Sequence, residues 1–143
     1  MQYLLLIYDN EKRWTKLGKP DYGSELEEYR SFGKEFANAI QGGNALQPTV
    51  TAKTVRVRNG EPLATDGPFA ETKEQLAGYY LVEASDVKEA VGVAAKIPGA
   101  RYGSIEVRPI LNFCRLGRLS CRFPGSRTSL GMNAPSTGVD TLN

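Results

Sequence analysis

The residues most able to do chemistry crowd into one stretch, TDGPFAETKEQLAGYY, from Thr65 to Tyr80. Asp66 offers a carboxylate that can move a proton or hold a polar ligand. Asp66-Gly67 favours a sharp turn, and Pro68 then fixes φ and donates no backbone hydrogen bond. Phe69 is apolar and is expected to anchor the loop by burial. Thr72 with Gln75 is placed to cap a single helical turn. A merely polar connection needs no proline and anchored aromatic together, and held loops are where sites are often built. A turn-capping Asp66 is the plainer alternative, and both roles stay open.

Further along, Arg101 precedes a strand pattern and could clamp an anionic ligand bidentately, or pair with a nearby glutamate. Tyr102 follows it. Tyr79 and Tyr80 alternate along a strand, so one enters the core and the other faces a cleft; Tyr80 is the candidate for stacking on a ligand. The chain contains no histidine, which removes the commonest general base and metal ligand together. Its cysteines, Cys114 and Cys121, read as free thiols. No phosphate-cradling glycine loop, nucleophile elbow or metal-ligand spacing is visible, so neither cofactor nor metal is expected.

Composition is that of an ordinary globular domain: 143 residues, 41 % hydrophobic and 24 % charged. Residues 1–110 hold 14 basic and 15 acidic residues, and this near-neutral body argues against a nucleic-acid surface. The extension 111–143 carries four arginines and one aspartate. No apolar run is long enough to span a bilayer. MQYLLLIYDN reads as a strand and not as a leader, so a cytoplasmic location is the expectation.

These residues must be positioned by a small set of elements. QYLLLIYD is short and continuously apolar, the signature of a central buried strand. Residues 10–20 read as a loop. From Tyr22, with Ser24 and Glu27 as a capping box, Leu26, Tyr29, Gly33, Phe36, Ala37 and Ile40 fall on one helical face, and Gly42-Gly43 is the expected stop. AKTVRVRNGEPLAT predicts a hairpin turning at Asn59-Gly60. GYYLVEA is a strand. Asp86 and Glu89 cap a second helix with a stripe of Val87, Ala90, Val91, Ala94 and Ile97, ended by Pro98-Gly99. GSIEVRPI is a last strand with Ile105 and Val107 inward.

This order predicts an α+β, ferredoxin-like split βαβ protomer, an antiparallel sheet with two helices on one face. The other face would carry Arg56, Arg58, Tyr80, Glu106 and Arg108. A second copy is the expected cover, giving a homodimer with a cleft between the sheets.

TDGPFAETKEQLAGYYLVE, ARYGSIEVRPI and the N-terminal MQYLLLIYDNE together resemble the DGPF-domain proteins of the YCII-related family, over about residues 1–110. The resemblance implies a dimeric α/β-barrel, a bacterial source, and in some members a link to sigma factors. More distant relatives include proposed enzymes with a His–Asp pair. Asp66 matches the carboxylate half; the histidine half is missing, and Tyr102 stands where some relatives have histidine. His–Asp acid–base chemistry is therefore excluded.

The reading that results is a YCII-related domain over 1–110 with an irregular extension over 111–143. It binds a small polar molecule at a dimer cleft through Tyr80, Arg101, Tyr102, Pro68 and Phe69. The alternatives are a lyase- or isomerase-like enzyme using Asp66 as acid or base, and an interaction module for a sigma factor.

Overall fold

The computed structural model describes residues 1–16 and 19–112, with side chains described for 1–14 and 23–112. The strands are β1 (Gln2–Asp9), β2 (Ile40–Ala45), β3 (Lys53–Arg58), β4 (Glu61–Asp66), β5 (Gln75–Glu83) and β6 (Ser104–Pro109). The helices are α1 (Glu11–Lys16), α2 (Lys19–Glu35) and α3 (Val87–Ala94).

Strand β1 is apolar on both sides because both sides are covered or half-covered. Tyr3, Leu5, Ile7 and Asp9 are buried, while Leu4, Leu6 and Tyr8 are half-buried on the opposite face. It lies centrally, antiparallel to β5 on one side and β6 on the other; β2 completes the sheet beyond β5, in the order β2-β5-β1-β6. Residues in register share a face, so Leu5, Tyr80 and Val107 belong together, as do Leu6, Tyr79 and Glu106.

The core forms where Tyr3, Leu5, Ile7 and Val82 of the sheet meet Phe32 of α2 and Ala90, Val93 and Ala94 of α3, with Ile97 beside them. Each fully buried Leu or Ile contributes roughly 1.5–3 kcal/mol relative to exposure. Two helices on one face of an antiparallel sheet make this the expected α+β, ferredoxin-like arrangement. Asp86 caps α3 by accepting the Glu89 N–H at 2.9 Å, and Glu89 accepts from the Ser85 N–H and hydroxyl. That side-chain bond from Ser85 holds the Glu89 carboxyl below its usual range.

Several expectations need correction. The sheet's second strand is β2, IQGGNA, and not the predicted hairpin; Gly42 and Gly43 extend a strand and stop no helix. A Cβ at Gly43 would lie 2.6 Å from the Tyr79 carbonyl oxygen, so the close β2–β5 approach itself needs glycine. Residues 11–16 are helical and not loop, and α2 starts at Lys19 and ends at Glu35, short of Ile40. Its buried residues include Phe32, outside the predicted stripe, while Leu26 is 42 % exposed. In α3 the buried face is Ala90, Val93 and Ala94; Val87 and Val91 are exposed.

The hairpin exists, but as a separate two-stranded ribbon, β3–β4. Asn59 and Gly60 take positive φ of 52° and 80° at its turn, as the dipeptide predicts. Arg56 and Arg58 therefore lie on the ribbon and not on the sheet's open face. That face carries Leu4, Leu6, Tyr8, Tyr79, Leu81, Glu106 and Arg108, and is more apolar than expected. Among the described residues no helix is long and apolar enough to cross a membrane. Cys114, Cys121 and the irregular extension from residue 113 onward lie outside the described residues.

Candidate functional site

Asp9 is a charged residue in phase with the buried Tyr3, Leu5 and Ile7, and it is only 2 % exposed. A carboxylate so placed needs compensation. Arg13, on α1 one turn further on, provides it: Nε donates to Asp9 Oδ2 at 3.0 Å, and Nη2 donates to the same oxygen. The guanidinium also bridges to Glu25 of α2, 5 % exposed, with Nη1 and Nη2 donating to its two oxygens at 2.9 and 3.0 Å. The hydrogen bonds to Glu25, then those to Asp9, push the Arg13 pKa further up against the opposing effect of burial. The guanidinium faces Trp14 at 4.6 Å and Tyr102 at 4.3 Å from the ring centres, a doubly stacked cation.

A cleft of about 290 Å³ opens beside this trio, between α2 and the end of the sheet. Asp9 lines it with Ile7, Trp14, Leu26, Tyr29 and Tyr80, and residues 43–45 and 77–79 complete its lining. The register of β1 on β5 shifts between Ile7 and Tyr8, leaving Ala77 as a bulge at the cleft, a common device for re-aiming a strand near a site. Burial, then the Glu25 charge, pushes the Tyr29 phenol up to about 12. Burial also raises Tyr80, whose ring packs 5.2 Å from that of Phe32. Glu11 steadies α1 from the other side, accepting from the Thr49 N–H and hydroxyl at 2.6 and 2.9 Å.

The residues singled out from the sequence fall into three places. Tyr80 lines the cleft, but from the helix-covered face and not from the open face; Tyr79 is the one that turns outward, where its hydroxyl accepts from Asn44 Nδ2 at 3.1 Å. Arg101 is ion-paired with Glu28 and stacks on Tyr102 at 5.3 Å, so it follows the plainer of its two expectations. Tyr102 receives two guanidinium groups and is not among the residues that line this cleft. Asp66 ends β4 with 85 % of its side chain exposed and pairs with Lys53. Gly67, with φ of 86°, makes the turn, held by its N–H to Ala52 O at 2.8 Å and its carbonyl to the Thr54 hydroxyl. Pro68 follows, exposed, and Phe69 is 80 % exposed, so it does not anchor the loop by burial as expected. Thr72 and Gln75 make no helical turn; the Gln75 amide donates to Thr72 O while Gln75 begins β5.

Asp9, Arg13, Glu25, Trp14 and Tyr29 were not singled out. The signal for Asp9 was its parity in β1. For Glu25 it was helical phase with Tyr29, Phe32 and Phe36, a charge set into a buried stripe.

Known proteins match most of the chain, through about residue 114. An uncharacterised protein of Rhizobium meliloti strain 1021 is 35 % identical over 114 residues, covering 77 % of this chain and 92 % of that protein. Among solved structures, 5-chloro-2-hydroxyhydroquinone dehydrochlorinase (TftG) from Burkholderia phenoliruptrix AC1100, in complex with 2,5-dihydroxybenzoquinone, superposes with a TM-score of 0.49 at 11 % identity. That match covers 78 % of this chain and 94 % of the other. The YCII-related domain matches residues 1–114, across β1, the DGPF turn and β6 alike, and the chain belongs to the YCII-related domain family.

Proposed function

We propose that this protein binds a small polar molecule in the cleft floored by Asp9. The observation that carries the reading is a buried acidic residue lining a mostly apolar and aromatic cavity. Such a cavity, with few and fixed polar groups, is the usual form of a small-molecule site. The bridged trio makes the floor rigid, since one planar cation holds Glu25 at both oxygens and Asp9 through two of its N–H donors.

Homodimer formation belongs to the same proposal. The open sheet face presents Leu4, Leu6, Tyr8 and Leu81, and the ribbon presents Val55 and Val57 at 63 % and 60 % exposure. A lone two-stranded ribbon is marginal in water and gains from a partner surface. A second reading places a ligand at the DGPF turn, closed over by the partner. It is favoured by the bare Phe69 ring on a turn pinned by hydrogen bonds. Asp66 as an acid–base group would need that closure, because in one protomer it is solvated and paired with Lys53.

A metabolite-library thermal-shift screen on the wild type, Leu26→Trp and Asp66→Ala tests the two. Leu26 lines the cleft rim, and tryptophan there fills it. A ligand lost in Leu26→Trp but kept in Asp66→Ala supports the cleft; the reverse pattern moves the site to the turn.

A further inference from the structure

We infer that the ligand of this cleft is an organic cation, a protonated amine on a flat or apolar body. The inference rests on the cleft reading above and adds the ligand's charge. Among the described residues lining the cavity, Asp9 is the charged one. The trio behind it holds two carboxylates and one guanidinium, a sum of −1. Such an excess in a water-poor setting draws a cation to it.

Among the described residues, two neighbouring cations are turned to other work. Arg13 directs Nε, Nη1 and Nη2 into its own two carboxylates, and Arg101 is held by Glu28. An anion entering the cleft would meet Asp9 with no guanidinium aimed at it. The walls suit the cation as well. Trp14, Tyr29 and Tyr80 present ring systems, and an ammonium over such faces is attracted by their quadrupoles. At about 290 Å³ the cavity lies at the small end of ligand sites, which points to a single ring or a short chain and not to a nucleotide.

The probes are benzylamine, benzyl alcohol and benzoate, matched in ring and differing in the charge of the head. Calorimetry at one ionic strength reads their affinities for the wild type, Asp9→Asn, Glu25→Gln and Leu26→Trp. The expected result is benzylamine bound at least about tenfold tighter than the alcohol, and no benzoate binding. Either neutralising variant should then weaken benzylamine about tenfold, and Leu26→Trp should abolish it. Glu25→Gln keeps Asp9 in place, so it tests charge even if Asp9→Asn folds poorly. Benzoate or the alcohol binding as tightly as the amine, in a manner abolished by Leu26→Trp, overturns the cation and leaves the cleft standing. Amine binding that survives Leu26→Trp, or no binding by any probe, overturns the inference. The absence of any Leu26→Trp-sensitive ligand in the wider screen overturns the cleft reading too.

Discussion

Replacing Arg13 by methionine removes the cation while keeping most of its stem. Asp9 and Glu25, 2 % and 5 % exposed, are then left facing each other with no counter-charge. Removing one member of a buried ion pair typically costs about 3–5 kcal/mol. Arg13 itself is 21 % exposed, so some water reaches the site and the lower end applies, about 3 kcal/mol. With a urea m-value of about 1–3 kcal/mol/M, the unfolding midpoint should fall by roughly 1–3 M at pH 7.5. Protein concentration is held fixed, because association adds to apparent stability. The triple variant Asp9→Asn/Arg13→Met/Glu25→Gln removes all three charges and should lie well above the single variant. A single-variant loss below about 1 kcal/mol, or a triple variant no more stable than the single one, would refute the view that Arg13 neutralises a buried acidic pair.

Gly43→Ala pushes a Cβ to 2.6 Å from both the Tyr79 carbonyl oxygen and the Tyr80 ring, so it should cost about 1–3 kcal/mol by urea denaturation and narrow the cleft. Tyr29, with its phenol at about 12, stays protonated in the folded chain between pH 10 and 12 while the unfolded chain ionises. Its contribution to stability is complete below pH 10 and is lost as pH rises toward 12. Ultraviolet titration should show a late-ionising tyrosine that Tyr29→Phe removes; identical titration curves for the two proteins would count against the burial described. Leu6→Lys places a charge amid the open sheet face, and light scattering should show dimer mass for wild type and monomer mass for the variant. A monomeric wild type at micromolar concentration would end the dimer proposal.

What could be read from the chain divides along physical lines. Strand β1, the Asn59-Gly60 turn, the Asp86–Glu89 cap and the inward Ile105 and Val107 follow from local patterns that tertiary contacts reinforce. Strand β2 was hidden because IQGGNA has the composition of a helix stop, and only the partner strand's carbonyl reveals why glycine is needed there. The facing of Tyr79 and Tyr80 was not legible, because β5 has apolar residues on both faces and its parity is set by pairing with Leu5 and Leu6. Phe69 was expected inside on hydrophobicity alone, yet exposed aromatics are permitted, and burial cannot be inferred from type. The trio was hidden for the opposite reason: acidic residues are read as surface by default, although phase placed Asp9 and Glu25 in buried stripes.

The central claim is that the Asp9-floored cleft is where this protein takes up its ligand. The most direct measurement is calorimetric titration of the best screened compound into wild type and Leu26→Trp, with both proteins first shown to unfold at the same urea midpoint. Wild type should show a measurable Kd and the variant at least about a hundredfold weakening, a loss of roughly 2.7 kcal/mol. Equal affinity in the two proteins would place the ligand elsewhere and contradict the account.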